Sequence, residues 1–129
     1  MIKEDLQTSI AKLCQREEGF IHVKIDPDVE LNLADMEEIF TTEYLFACGK
    51  RIPVFIDARQ CKGTTTEAIK YWSDEKVRAF VKAVVFLISS PLCKVLGDFY
   101  ITISKQFYPS ILVTTSEEEA FDWIKGFIK

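Results

Sequence analysis

The sequence predicts a single α/β domain with a mostly parallel sheet, and three observations lead to this fold class. Two apolar runs, IPVFID at 52–57 and AVVFLI at 83–88, are unbroken, as in strands covered on both faces. Segments with helical spacing of apolar residues alternate with these runs. The first strands instead alternate apolar with polar residues, which indicates an antiparallel hairpin.

The hairpin is predicted over residues 8–15 and 20–26, with REEG as its loop. The second strand alternates apolar with polar side chains, the apolar ones being Ile21, Val23 and Ile25. One face of this strand is therefore expected to be buried and the other wet or thinly covered. His22 lies on the polar side and is expected at a surface or an edge.

The first two helices are predicted from caps and apolar stripes. Asn32 can cap a helix that runs to about Cys48. Its inward stripe is predicted as Leu33, Met36, Phe40, Tyr44 and Ala47. Thr64 and Glu67 match a capping box for a second helix, and residues 73–80 are either its broken continuation or a separate turn.

Two further helices complete the alternation. Ser90 and Pro91 predict a helix over residues 90–106, and SILVTT at 110–115 is predicted as a buried strand. Ser116 and Glu119 match a second capping box for the last helix. The predicted order is β-β-α-β-α-β-α-β-α in one domain that covers residues 1–129.

Composition and charge exclude several classes of function. The net charge of −4 and the pI of about 5.1 argue against broad nucleic-acid binding, which needs clustered basic residues. The apolar run at 83–88 is far shorter than the roughly 20 residues of a membrane span. The segment MIKEDLQTSI intersperses acids and polar residues, so a cytoplasmic protein is expected.

Catalytic and metal-binding patterns are weak. The four cysteines are widely spaced and only one histidine is present, so neither a metal site nor a cofactor is predicted, and the cysteines are expected to be reduced thiols. No phosphate-binding glycine loop and no GxSxG motif occurs in the sequence. The chain is therefore not expected to be an enzyme.

Two stretches carry a resemblance to a known family. PVFIDARQCKGTTTEA, after the start of the central strand, and VVFLISSPLCKVLGDFYITISKQFYPSILVTTSEEEAFDWI resemble the STAS or SpoIIAA-like family of anti-sigma factor antagonists. The similarity is greatest to small stand-alone bacterial members of unassigned function. It implies a SpoIIAA-like (STAS) fold, and it implies a regulatory or binding role through a protein partner.

The resemblance also suggests a site. In phosphorylated members, a kinase modifies a serine at the start of the helix that follows the central strand, and Thr64 falls near that position, with Thr65 beside it. The candidate phosphorylation or partner-binding residues are Asp57, Thr64, Thr65 and Thr66. From the residues alone, Thr64 is better explained as a helix cap, which is a common role for threonine.

Two alternative functions stay open. Four aromatic residues that could line an apolar or lipid pocket, as in CRAL-TRIO domains of similar topology, or fill the core, are Phe99, Tyr100, Phe107 and Tyr108. An exposed aromatic patch would instead favour a homodimer. A receiver-like domain would use Asp57 as phosphoacceptor, although Asp57 is otherwise explained as a partner of Arg59 or Lys62.

Overall fold

A computed structural model describes residues 2–16, 19–47, 50–61, 63–71, 75–89 and 110–128. The strands in this part of the chain are β1 (Ile2–Gln7), β2 (Ala11–Arg16), β3 (Ile21–Ile25), β4 (Glu30–Leu31), β5 (Ile52–Asp57), β6 (Gly63–Thr64), β7 (Val81–Leu87) and β8 (Ser110–Thr114). The helices are α1 (Leu33–Ala47), α2 (Thr66–Tyr71), α3 (Glu75–Phe80) and α4 (Glu117–Lys125). The predicted helix over residues 90–106 lies outside the described residues.

The main sheet has six strands in the order β1-β2-β3-β5-β7-β8. The first three strands pair antiparallel, and β3, β5, β7 and β8 run parallel to one another. Val85 in β7 pairs with Phe55 on one side and with Leu112 on the other. This arrangement confirms the predicted α/β class, with its antiparallel hairpin followed by a parallel sheet.

The beginning of the chain differs from the prediction. Residues 2–7 form the edge strand β1, which was not predicted because IKEDLQ lacks a clear alternation. The strand predicted from residue 8 begins at Ala11, since Thr8 turns the chain by donating its backbone N–H to the carbonyl of Ala11 at 2.8 Å. The short parallel pair β4 and β6 was also not predicted.

Helices cover both faces of the sheet. Leu13, Val23 and Val54 lie on one face, in the same cluster as Ile39 of α1 and Ala68 of α2. The other face packs beneath α4, where the buried cluster is Phe20, Phe55, Ala83, Val85, Leu87, Ala120 and Ile124. Two apolar clusters therefore hold the strands in register and fix the ends at which the loops emerge.

The first helix begins as predicted but presents a different face to the sheet. Asn32 Oδ1 accepts the N–H of Asp35 at 2.9 Å, and Asp35 Oδ2 accepts the N–H of Asn32 at 3.1 Å, which closes a capping box. The stripe prediction is partly wrong, because Leu33 and Tyr44 are 39% and 41% exposed. Tyr44 packs at the margin against Phe80, at 4.5 Å between ring centroids. The buried stripe is Met36, Ile39, Phe40, Glu43 and Ala47.

Glu43 is a buried acid within that stripe. Its residue is 2% exposed, and neither carboxylate oxygen has a hydrogen-bond partner among the described residues. Burial raises the pKa of Glu43 well above its usual range, because the charged form loses its hydration. Glu43 therefore favours the neutral carboxylic acid in the folded chain.

The remaining helices follow their sequence signals. Residues 73–80 were predicted as a continuation or a separate turn, and their described part forms the separate helix α3, which passes directly into β7. Ser116 caps α4 by accepting the N–H of Glu119 at 3.1 Å, as predicted. The Glu119 carboxylate bonds the hydroxyl of Thr114.

Helix length and hydropathy decide whether a helix can cross a membrane. Each helix in the described ranges is too short or too polar to cross a bilayer.

Candidate functional site

The parallel strands bring their carboxyl ends to one edge of the sheet, which we call the rim, and the rim includes the loop and helix start at residues 57–67. The ladder continues one residue past the strands on this edge. Ala58 donates to the carbonyl of Leu87 at 2.8 Å, and Ile88 donates to that of Thr114 at 2.9 Å. The loops that leave β5, β7 and β8 are thus held in step, as in other open α/β sheets with sites at this edge.

Asp57, at the end of β5, has both carboxylate oxygens in hydrogen bonds. Its residue is 6% exposed. Oδ1 accepts the backbone N–H of Arg59 at 3.1 Å and its Nε–H at 3.0 Å, while Oδ2 accepts a guanidinium N–H at 2.8 Å. Burial alone would raise the pKa of Asp57, but the bonds and the charge of Arg59 outweigh it and lower that pKa.

Arg59 connects Asp57 to two other segments. A guanidinium nitrogen lies 3.5 Å from Glu117 Oε1 in the first turn of α4. Ser89, just after β7, donates its hydroxyl to the carbonyl of Arg59 at 2.8 Å. Arg59 therefore links the end of β5 to the segments that follow β7 and β8. Its side chain is still 39% exposed.

This geometry bears on the receiver-like alternative. Both oxygens of Asp57 already accept bonds from Arg59, so a phosphoryl donor would have to displace that guanidinium. Within the described ranges, no group of three or more His, Cys, Asp or Glu side chains is placed to hold a metal ion. The sequence also predicted Asp57 as a partner of Arg59, and the structure shows this pairing.

The predicted cap of the second helix is displaced by one residue. Thr65, rather than Thr64, caps α2, because its Oγ1 accepts the N–H of Ala68 at 3.1 Å. Thr64 belongs to β6 and pairs with Leu31. Thr66 is the first residue of α2. The side chains of Thr64 and Thr66 lie outside the described part of the structure.

A second loop supports the first at the rim. Asp28 donates its backbone N–H to the carbonyl of Gln60 at 3.0 Å, and Thr65 donates to that of Leu31 at 3.0 Å. Asp28 adopts a left-handed conformation with φ 63°, which Asp tolerates better than most residues. One of these hydrogen bonds lies before the β4–β6 pair and the other lies at its end. Together they join the loop after β3 to the loop after β5.

His22 differs from its predicted surface or edge position. It is half-buried on an interior strand, 4.9 Å from Phe55 and 6.4 Å from Phe121 between ring centroids. Burial, helped by the charge of Arg16, lowers the pKa of His22, while Asp57 opposes this shift. The polar face of β3 was expected to be wet or thinly covered, and Phe121 of α4 covers part of it.

The carrier alternative needs an apolar cavity. The proposed lining residues Phe99, Tyr100, Phe107 and Tyr108 lie outside the described residues. A shallow depression of ≈ 490 Å³ lies at the start of α4, and its lining is Ser116, Glu118, Glu119, Asp122 and Trp123. Three carboxyl groups in this lining suit an apolar ligand poorly.

The cysteines follow their prediction where they can be seen. Cys14 is buried and Cys61 is half-buried, and both are reduced thiols outside any disulfide. Cys48 and Cys93 lie outside the described residues.

Comparison with known proteins places the chain in a family. Residues 14–128 match the model of a family described as Domain of unknown function (DUF7793). The chain belongs to this family. No curated protein matches it.

A solved structure shares the fold. It is the crystal structure of an uncharacterized protein from the DUF3478 family with a SpoIIAA-like fold, from Shewanella loihica PV-4, with a TM-score of 0.60. The similarity covers 92% of this chain and 98% of that one, at 14% sequence identity. The SpoIIAA-like fold implied by the sequence is therefore confirmed, and at this identity the likeness speaks to the fold alone.

Sequence reasoning found part of the rim. It identified Asp57 and gave Arg59 or Lys62 as its partner, but it missed Glu117 as the second contact of Arg59. Arg59 and Glu117 are far apart in sequence, and only the packing of α4 brings them together. The clue in the sequence was the acidic first turn at 117–119, which the helix dipole also explains.

Proposed function

We propose that the chain is a cytoplasmic, non-catalytic regulatory module that docks a protein partner through the rim at residues 57–67. The observation that carries the proposal is the fastening of this loop by Asp57, Arg59 and Ser89, described above. A loop fixed before binding loses less conformational entropy when a partner arrives. The partner would meet Arg59 already held in place by Asp57 and Ser89.

The exposed side chains of the loop suit recognition. Arg59 and Gln60 are exposed at the rim, and Glu67 is exposed in the first turn of α2. Charge and amide groups on a rigid base can give a partner orientation and specificity. Phosphorylation at Thr64, Thr65 or Thr66 would add negative charge beside Glu67 and would alter docking at the same surface.

Capture of partners with matched variants tests the docking proposal. Glu67→Lys reverses a charge at the rim, and Glu75→Lys makes the same change on α3, away from the rim. A partner retained by wild type and by Glu75→Lys, but lost by Glu67→Lys, supports the proposal. Equal retention by all three proteins contradicts it.

The switch component has its own test. Incubation with lysate kinases, followed by mass spectrometry, should place phosphate on a threonine of residues 64–66. Thr65→Asp then imitates the charge while it keeps a side chain that can cap α2. The Thr64→Glu/Thr65→Glu variant should change partner capture in the same direction as Thr65→Asp does. Persistent absence of phosphate from all three threonines would rule out the phosphorylation switch.

Two measurements separate the alternatives. Acetyl phosphate with Mg²⁺ should leave Asp57 unlabelled if the Arg59 pair holds, and labelling of Asp57 would favour a receiver-like domain. Native mass spectrometry should give the mass of the protein alone. A copurified apolar molecule would favour a carrier.

A further inference from the structure

Helix α1 is held unequally along its length. Its first half, residues 33–40, begins in the capping box described above and is tied to the turn before β2, because Ser9 donates its hydroxyl to Glu38 Oε1 at 2.7 Å. Met36 and Ile39 of this half are fully buried in the core. A polar contact and apolar packing therefore both fasten the first half.

The second half of α1, residues 41–47, has weaker attachments. Among its described side chains, Glu43 and Ala47 are the buried ones. Tyr44 and Leu45 are exposed, the latter by 68%. Because Ala47 is small, the largest buried side chain described in this half is the acid. Glu43 places a carboxyl group without a hydrogen-bond partner where a core residue would contribute apolar surface.

Two threonines mark the boundary between the halves. The Thr41 hydroxyl donates to the carbonyl of Glu37 at 2.9 Å. The Thr42 hydroxyl donates to the carbonyl of Glu38 at the same distance. Threonine bonded back to the preceding turn slightly weakens a helix and often bends it, and β-branched side chains lower helix propensity. The pair therefore gives α1 a weak point just ahead of Glu43.

The side chains described around Glu43 are mainly apolar. Helix α1 packs against α2 and β2, and it touches α3, where Phe80 lies 6.5 Å from Phe40 between ring centroids. The described side chains of these three elements in or against the same core cluster are Ala11, Leu13, Ala68, Tyr71, Val77 and Phe80. Tyr71 is the titratable residue among them, and tyrosine is uncharged at neutral pH.

The charged groups described on the neighbouring elements lie elsewhere. On the strands β2, β3 and β5, they and His22 share the sheet face beneath α4, since they alternate with the core residues of the opposite face. They are Lys12, Arg16, His22, Lys24 and Asp57. On α2 and α3, the described charged side chains are exposed, namely Glu67, Lys70 and Glu75. Those of Lys76 and Arg78 lie outside the described part of the structure.

We propose that residues 41–47 of α1 open from the sheet, hinged at Thr41 and Thr42, when Glu43 gives up its proton. The closed form holds the neutral acid, and the carboxylate regains its hydration when this half of the helix leaves the core. The last turn of α1 contains no basic residue, and a carboxylate is unfavourable near the negative end of a helix dipole. The first half and the strand ladder stay in place, so the opening is local.

Linkage sets the direction of the effect. Burial raises the pKa of Glu43 in the closed form, whereas an exposed glutamate has a pKa of about 4.3. Between these two values opening releases a proton, so the opening equilibrium constant grows about tenfold per pH unit. The segment is therefore closed in acid and opens increasingly as pH rises. This device goes beyond the docking function of the rim and does not depend on it.

Amide hydrogen exchange of the full chain, followed by NMR from about pH 5 to about pH 8, tests the device. After correction for intrinsic exchange rates, the protection of the N–H groups of residues 44–47 should fall about tenfold per pH unit over part of this range. These groups should also exchange at least about tenfold faster than those of residues 54–56, which the ladder of β5 protects.

Glu43→Gln is the decisive variant, because it keeps the shape of the side chain and removes the ionisable proton. Protection of residues 44–47 in this variant should not change with pH. Glu43→Met should give the same flat profile and serves if the glutamine variant folds poorly. Glu37→Gln removes an exposed acid from the first half of the helix, and it should keep the slope of wild type.

Three results would overturn the proposal. Constant protection of residues 44–47 in wild type would show that Glu43 does not change its charge with opening in this pH range. A slope that persists in both Glu43 variants would assign the effect to another group. Equal protection of residues 44–47 and 54–56 at every pH would show that α1 opens only when the whole domain unfolds.

Discussion

Asp57 and Glu43 are both buried carboxylic acids, at 6% and 2% exposure, yet the fold treats them in opposite ways. Asp57 accepts three hydrogen bonds from Arg59, and its pKa is lowered despite burial. Glu43 has no hydrogen-bond partner among the described residues, and burial raises its pKa. Similar burial thus gives an ionised group in one place and a neutral group in the other.

The difference lies in the backbone around each acid. Asp57 ends a strand, where the chain turns and the N–H of Arg59 is available to its carboxylate. Glu43 stands in the middle of α1, where the helix itself uses the backbone N–H groups, and its neighbours in the buried stripe are apolar. The strand end therefore supplies donors that keep Asp57 charged, and the buried face of α1 supplies none to Glu43 among the described residues.

The largest effect is expected when Asp57 loses its partner. Arg59→Met should lower the free energy of unfolding by about 3 kcal/mol near neutral pH, because a buried carboxylate is left unpaired; Arg59 is partly exposed, which keeps the loss at the lower end for such pairs. Urea unfolding followed by circular dichroism measures this loss. Arg59→Lys keeps the charge but not the paired geometry, so its free energy of unfolding should lie between those of wild type and Arg59→Met.

The pH dependence of that loss follows from the sign of the shift. A lowered pKa for Asp57 gives stability that is present above its unfolded-state pKa and disappears as pH falls through the folded-state value. The difference between wild type and Arg59→Met should therefore shrink in acid. A difference that stays constant with pH would mean that Arg59 acts through packing alone.

A gain of stability is expected at the other acid. Glu43→Met should raise the free energy of unfolding by about 2 kcal/mol at neutral pH, since it removes a buried polar group without partners. The raised pKa of Glu43 means that its contribution is lost as pH rises above the unfolded-state value, so the gain should grow toward alkaline pH. Urea titrations at several pH values measure both effects.

Glu37→Met is the matched control for that substitution. Glu37 is an exposed residue of the same helix, and the same change there should alter stability by less than about 0.5 kcal/mol. Destabilisation by Glu43→Met at neutral pH would show that the carboxyl group has a favourable role that its surroundings do not reveal.

The smallest effect concerns the helix start at the rim. Thr65→Ala should cost about 1 kcal/mol through loss of the cap of α2, and Thr65→Ser should cost much less because it keeps the hydroxyl. Thr64→Ala, in the short strand β6, should be nearly neutral by comparison. Thermal unfolding of the three variants ranks them, and a larger loss for Thr64→Ala than for Thr65→Ala would restore the cap predicted from the sequence.

These sites show how far sequence reasoning reaches. The caps at Asn32 and Ser116 were predicted correctly because capping is local chemistry read over four residues. The cap of α2 was placed one residue early, since TTT offers three hydroxyls in a row and pairing of Thr64 with Leu31 decides among them. The parallel strands were predicted because short unbroken apolar runs are typical of strands that are covered on both faces.

Long-range packing accounts for what the sequence did not reveal. Charged residues normally lie on the solvent side of a helix, so the predicted buried stripe of α1 omitted Glu43 and included Tyr44. The position of His22 beneath Phe121 depends on where α4 lies. The second contact of Arg59, with Glu117, likewise depends on how distant elements dock.

The rim holds Asp57 as a paired, ionised carboxylate, in contrast to the neutral acid at Glu43. Titration of the side-chain carboxyl carbons by ¹³C NMR measures both groups in one sample. We expect Asp57 to titrate below its usual pKa range and Glu43 well above its own. Titration of Asp57 at or above the ordinary aspartate range, or of Glu43 within the ordinary glutamate range, would contradict this account.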